Sequence, residues 1–102
     1  MPSTRQLAAI MFTDIVGYTA IMGQDERKAL ELLQINRQLQ KPLIEQFHGK
    51  WIKELGDGVL ATFPTVTDAV NCACLIMQGS RSVQGLQLRI GIHQAEVVSA
   101  RP

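Results

Sequence analysis

With 102 residues, 46% of them apolar and 19% charged, the chain has enough material for one hydrophobic core without disulfide or metal staples, and it is too apolar to be disordered. Its net charge is +1 and the basic residues are scattered, which excludes the electrostatic footprint of a protein that grips nucleic acid or an anionic membrane. The longest apolar run, residues 7–12, falls far short of the roughly 20 residues a membrane span needs and is too short for a secretory signal.

Residues 1–5 read as a frayed end. The run at 7–12 fits a strand covered on both faces and takes the place of a first, central strand. Beyond Thr13 and Asp14 a short segment carries the chain to Gly23, after which Asp25 is placed to cap a helix with Glu26 in its first turn. Leu32, Ile35, Leu39, Leu43 and Phe47 recur at helical spacing, widened by Leu30, Leu33 and Ile44. Pro42 lacks an N–H, which predicts a kink or restart near Gln40 and Lys41, and Gly49 is the expected stop. The period then drops to two: Trp51, Lys53 and Leu55 share one face of a strand, with Ile52 and Glu54 on the other. Gly56-Asp57-Gly58 is a turn signal and alternation resumes over 59–63, so residues 50–64 form a β-hairpin ended by Pro64.

Thr65 and Asp68 have the spacing of a capping box, and Val66, Ala69, Val70, Ala73, Ile76 and Met77 give a second amphipathic helix closed by Gly79. Cys72 and Cys74 stand two apart in that helix, on different faces and unable to bridge; they read as unpaired residues of a reduced, cytoplasmic protein. After a loop over 80–85, Leu86, Leu88, Ile90 and Ile92 alternate with Gln87, Arg89, Gly91 and His93 in a half-covered strand.

The order βαββαβ is the ferredoxin-like arrangement, an α+β domain whose four-stranded antiparallel sheet, in the order 4-1-3-2, carries both helices on one face. In that topology the end of the first strand lies beside the start of the third, which brings Asp14 toward Asp57. Two carboxylates about 5 Å apart repel by roughly 3 kcal/mol at an effective dielectric of 20, a cost that a divalent cation reverses. With no His or Cys nearby, such hard oxygens suit magnesium or manganese rather than zinc. On the residues alone a plainer account stays open, with Asp57 an Asp-Gly turn residue and Asp14 a local cap. Residues 15–19 join a strand end to a helical region, where free backbone N–H groups can cradle phosphate. Lys53 and Arg89 add basic groups on the second and fourth strands.

Three local sequences stand in order along the chain: Ala9-Ile10-Met11-Phe12-Thr13-Asp14-Ile15-Val16-Gly17-Tyr18-Thr19, Lys53-Glu54-Leu55-Gly56-Asp57-Gly58-Val59 and Leu88-Arg89-Ile90-Gly91-Ile92-His93. Together they resemble the class III nucleotide cyclases, the adenylate and guanylate cyclase catalytic domain. The resemblance covers nearly the whole chain and implies one domain over 1–102 that corresponds to the N-terminal portion of the family domain. It implies that Asp14 and Asp57 are catalytic carboxylates holding two Mg2+ or Mn2+ ions, with the backbone carbonyl of Ile15 as a further ligand. Gly17, Tyr18 and Thr19 would hold the triphosphate, Lys53 would read the base, and Arg89 would reach the phosphates. A lysine at the base-reading position is the adenylate cyclase choice, since an ammonium donates to adenine N1, whereas guanine favours an acidic residue.

The implied reaction is cyclisation of ATP to 3′,5′-cyclic AMP and pyrophosphate by two-metal catalysis, at a site shared between subunits. The implied assembly is a homodimer, or a pair with a full-length cyclase, which would also cover the bare sheet face; no nucleic acid or membrane contact is expected. The family's later Asp-x-x-Asn segment and transition-state arginine have no counterpart in these residues, and Ala95 stands where the family has Gly. The 102 residues are therefore expected to show little activity alone. The alternative is a non-catalytic, cyclase-like module for dimerisation and regulation. A ferredoxin-like RNA binder is disfavoured, because Phe12, Trp51 and Phe63 are separated rather than clustered for base stacking.

Overall fold

A computed structural model of the chain describes residues 4–99, with side chains over 6–96. The elements are β1 (Thr4–Ile15), α1 (Tyr18–Gln24), α2 (Glu26–Gln46), β2 (Lys50–Leu55), β3 (Gly58–Phe63), α3 (Val66–Ser80) and β4 (Leu88–Ser99). The strands form one antiparallel sheet in the order β2-β3-β1-β4, which is the expected ferredoxin-like order read from the opposite edge. β1 starts ahead of the apolar run, at Thr4, because β4 continues to Ser99 and supplies pairing along the whole length. Of the expected frayed end, Thr4 and Arg5 are strand, and residues 1–3 lie outside the described residues.

The core lies between the sheet and the helices. Ala9, Met11, Thr13 and Ile15 of β1 are buried with Val59, Ala61 and Phe63 of β3 and Leu88 of β4, against Leu32 and Ile44 of α2 and Ala69, Cys72 and Ile76 of α3. The two long helices start where their caps predict. The Asp25 carboxylate accepts from Lys28 N–H at 3.1 Å and the Thr65 hydroxyl from Asp68 N–H at 3.0 Å. α1 is an additional helix; at seven residues it is too short to show a hydrophobic period.

In α2 the buried line is Ala29, Leu32, Asn36, Gln40 and Ile44; of the expected stripe Leu32 and Ile44 lie on it, while Ile35, Leu39, Leu43 and Phe47 flank it half-buried and Leu30 is exposed. Two polar residues thus occupy the middle of its core face. Gln40 Nε2 donates to Thr13 Oγ1 at 3.0 Å and to Asn36 Oδ1 at 2.8 Å, so that the helix is tied to β1 one residue before Asp14. α2 also runs through Pro42 without restarting. Pro42 and Gln38, whose carbonyl loses its helical donor, both sit on the exposed side, where water substitutes for the missing bond.

Neither expected glycine stop is the residue that ends its helix. The left-handed position after α2 falls on His48, with φ 68°, and Gly79 lies inside α3. Both glycines lie at close approaches instead, against ring and backbone at Gly49 and against the end of a leucine side chain at Gly79. A Cβ on Gly49 would stand 2.6 Å from Phe63 Cε2 and 2.8 Å from Ile44 Cγ2, and one on Gly79 would stand 2.5 Å from Leu39 Cδ1, where α3 meets α2.

β2 departs from simple alternation. Its register against β3 shifts between Trp51 and Lys53, which makes Ile52 the extra residue of a β-bulge. Trp51 therefore opposes Ala61 and Glu54 opposes Val59, on the helix side, while Lys53 opposes Leu60 on the bare side. The expected common face of Trp51, Lys53 and Leu55 is broken at this bulge. Contacts to α2 hold the result in place: Arg37 donates from Nε and Nη2 to the Glu54 carboxylate at 2.7 and 3.0 Å, and the Lys41 ammonium lies 5.0 Å from the centre of the Trp51 ring.

Candidate active site

Asp14 lies near the end of β1, on the bare face of the sheet, directly opposite Arg89 of β4. The Arg89 guanidinium donates from Nε to Asp14 Oδ1 at 2.9 Å and from Nη2 to Oδ2 at 3.2 Å, the forked geometry that suits a carboxylate. This hydrogen bonding, then the Asp14 charge, raises the Arg89 pKa, and the Asp57 charge acts in the same direction.

Asp57 reaches the same end of the sheet from the β2–β3 hairpin. Its Oδ2 accepts from the Ile15 backbone N–H at 2.9 Å, so one carboxylate belongs to Asp14 and the other is anchored on the next residue's amide. The hairpin geometry explains the reach. Leu55 opposes Gly58 across a two-residue loop in which Gly56 takes φ +61°, the left-handed first position of a II′-like turn. The Phe12 ring lies over Gly58, where a Cβ would come within 2.9 Å of Phe12 Cζ. The turn is thereby held down against β1.

Past Ile15, the chain turns on Gly17, whose φ of 73° is the left-handed conformation glycine tolerates best, and α1 begins at Tyr18. The first amides of α1 precede the helical ladder and have no intrahelical acceptor. Burial first, then the negative charges of Asp57 and Glu26, raise the Tyr18 pKa, which puts its phenol in the electrostatic reach of the acidic pair.

The structure thus brings Asp14, Ile15, Asp57, Tyr18 and Arg89 to one end of the sheet. Lys53 is not brought there. It is exposed on the bare face of β2, with β3 between it and β1; at about 4.8 Å per strand its backbone is about 10 Å from β1 and about 14 Å from β4. A concavity of about 680 Å3 lies between the end of α3, the loop before β4 and Val16, and takes in none of Asp14, Asp57, Lys53 or Arg89. Sequence reasoning missed the Thr13–Asn36–Gln40 network behind Asp14. Its signal was the spacing of Leu32, Asn36, Gln40 and Ile44, a four-residue repeat with polar residues between apolar ones.

Among the described residues no three His, Cys, Asp or Glu side chains converge. The donors at the sheet end are two carboxylates and main-chain carbonyls, all hard oxygens. That set fits Mg2+ or Mn2+, since such ions bind through one or two carboxylates and complete their shells with water and substrate phosphates.

The fold and the acidic pair define a class, a ferredoxin-like α+β domain with two aspartates where the first and third strands adjoin, and solved structures that share this fold include nucleotide cyclases. The adenylate/guanylate cyclase/hydrolase from Silicibacter pomeroyi superposes with a TM-score of 0.82 at 33% identity, over 98% of this chain and 63% of that one. The guanylyl cyclase Cya2 superposes with a TM-score of 0.82 at 24% identity, over 96% of this chain and 58% of that one. Putative adenylate cyclase 3 of Rhizobium meliloti (strain 1021) is 31% identical over 92% of this chain, which spans 17% of that protein's length. A family profile described as the adenylate and guanylate cyclase catalytic domain matches residues 2–101. The chain belongs to that family.

Proposed function

We propose that the chain carries the metal and triphosphate half of an adenylate cyclase-type site, which in a dimer converts ATP to 3′,5′-cyclic AMP and pyrophosphate. The observation that carries this reading is the meeting of Asp14 and Asp57 at one end of the sheet, with Asp57 bound to the Ile15 amide and Asp14 held by the cross-strand arginine. Asp14, Asp57 and the Ile15 carbonyl hold the metal pair. When bound, Mg2+ or Mn2+ supplies a lowered pKa for the ribose 3′-hydroxyl and neutralises charge on the departing pyrophosphate.

The backbone of Gly17, Tyr18 and Thr19 holds the triphosphate, and Arg89 donates to its oxygens. With the chain so placed, the 3′-oxygen attacks the α-phosphorus in line, the bond to pyrophosphate breaks, and the hydroxyl proton passes to solvent. Lys53 recognises adenine from the other subunit's side of a shared site, in keeping with its distance from Asp14 within one chain. The bare sheet face is the surface for a second copy or a full-length cyclase. The setting is cytoplasmic, where nucleotide is abundant and thiols stay reduced; among the described residues no helix is long and apolar enough to cross a membrane.

Calorimetric titration with ATP and GTP, each with and without Mn2+, tests the reading. ATP should bind only with Mn2+ and more tightly than GTP, and Asp14→Ala or Asp57→Ala should each abolish the metal-dependent part. Metal-independent binding, unchanged in both variants, removes the site. Measurable cyclic AMP from the chain alone excludes the non-catalytic alternative, a dimerisation and regulatory module.

A further inference from the structure

Both oxygens of the Asp14 carboxylate accept from the Arg89 guanidinium, and the two residues are direct cross-strand partners in the β1–β4 register. The pairing is therefore set by the sheet. Its partners differ in freedom: the Asp14 side chain is 24% exposed and the Arg89 side chain 72%, so the carboxylate is fixed in the site while the guanidinium lies on the solvent side and can swing away. Asp57 is tied differently, through Oδ2 to the Ile15 amide, a bond that does not depend on any cation. A divalent ion arriving at Asp14 competes with the Arg89 guanidinium for both carboxylate oxygens and repels its like charge. The same arginine is the group assigned to the nucleotide phosphates, and the Nε–Nη2 edge that now holds Asp14 cannot hold a phosphate at the same time.

We infer that Arg89 is an internal counter-cation that latches Asp14 in the metal-free domain and is displaced from it when the metal enters, which frees the guanidinium for the phosphates. The inference rests on the reading of Asp14 as a metal ligand. Its physical basis is charge: Arg89 supplies at Asp14 the positive charge that the metal later brings. Metal entry and release of the phosphate-binding arginine thereby become one event, and the latch lowers the affinity of the nucleotide-free protein for metal.

The test is Mn2+ binding to the nucleotide-free protein, read from the free-ion electron paramagnetic resonance signal, for wild type, Arg89→Gln and Lys50→Gln. Lys50→Gln removes an equal charge from the same sheet face, opposite Thr62 at the far end of β2, and serves as the control for long-range electrostatics. Arg89→Gln should bind Mn2+ about 3- to 10-fold tighter, the range expected for release of one exposed forked ion pair, and Lys50→Gln should change affinity by less than about twofold at 0.15 M salt. In parallel, the Arg89 Nε–Hε resonance should shift on Mg2+ titration with the midpoint of metal binding, and the same shift should occur without metal in Asp14→Asn.

Equal Mn2+ affinity in wild type and Arg89→Gln overturns the latch, as does an Hε resonance that stays in place at saturating Mg2+. An Hε shift in Asp14→Asn, combined with no Mn2+ binding in any protein, leaves the ion pair standing but removes the metal-site reading, and the latch falls with it.

Discussion

Gln40 is the residue whose replacement reports most directly on how the site is supported. Gln40→Leu keeps roughly the volume and removes both donors, which leaves Thr13 Oγ1 and Asn36 Oδ1 without the bonds of 3.0 and 2.8 Å that now satisfy them. Thr13 is 0% exposed and Asn36 2%, so water cannot substitute without opening the helix–sheet contact. Each orphaned group costs about 1–3 kcal/mol; for two of them, with partial relaxation, a loss of about 2–4 kcal/mol is expected. In a domain of this size that lowers Tm by roughly 10–25 °C. Urea unfolding followed by fluorescence of Trp51, the single tryptophan, measures it, with an unchanged m-value showing that the unfolded state is not the cause. Replacing the whole network by apolar residues (Thr13→Val, Asn36→Leu, Gln40→Leu) should recover most of the loss, because no buried group is then orphaned. A Gln40→Leu protein within about 0.5 kcal/mol of wild type would refute the reasoning, since surface substitutions routinely reach that size.

Three further outcomes are expected. Gly49→Ala should destabilise by about 1–3 kcal/mol in the same urea assay, because its new methyl meets the Phe63 ring and both the side chain and backbone of Ile44; a neutral result would mean that the loop has room the packing denies. The hydrogen bond from Arg37 holds the Glu54 pKa below its ordinary value, so the pair stabilises the fold fully above about pH 4.3 and loses that contribution as pH falls through the lower folded value. The difference in urea midpoint between wild type and Arg37→Gln should accordingly be present at pH 7 and vanish toward pH 3; a difference independent of pH would assign the effect to packing. Burial pushes the Cys72 thiol up to about 11 while Cys74 is exposed, so brief iodoacetamide treatment of native protein at pH 8 should give one adduct by intact mass, on Cys74, with the second appearing only in denaturant.

The sheet order, both long-helix caps and the placement of Asp57 beside the end of β1 were legible from residue patterns, because caps, turn glycines and hydrophobic periods are local signals and the right-handed crossover rule turns their order into a topology. What escaped was non-local or too short. Nothing in the string from Trp51 to Leu55 marks Ile52 as surplus; the bulge exists because Glu54 must meet Arg37 and Trp51 must meet Lys41 on the helix side. The line of burial on α2 passes through Asn36 and Gln40, which no hydrophobic period marks, because each finds its partner in the core. His48 holds the left-handed turn beside a glycine, and composition alone points to the wrong member of that pair.

The bulge gives β2 one residue of slack. Deleting Ile52 would bring Lys53 opposite Leu60 and Glu54 opposite Val59 in an unbroken ladder, the same partners they have now. Removing Lys53 or Glu54 instead would leave the open face or the Arg37 contact without its charged group. The strand is thus tolerant of a length change at one position and intolerant at its neighbours, so a gap in this segment between related chains need not alter which side chains the sheet presents.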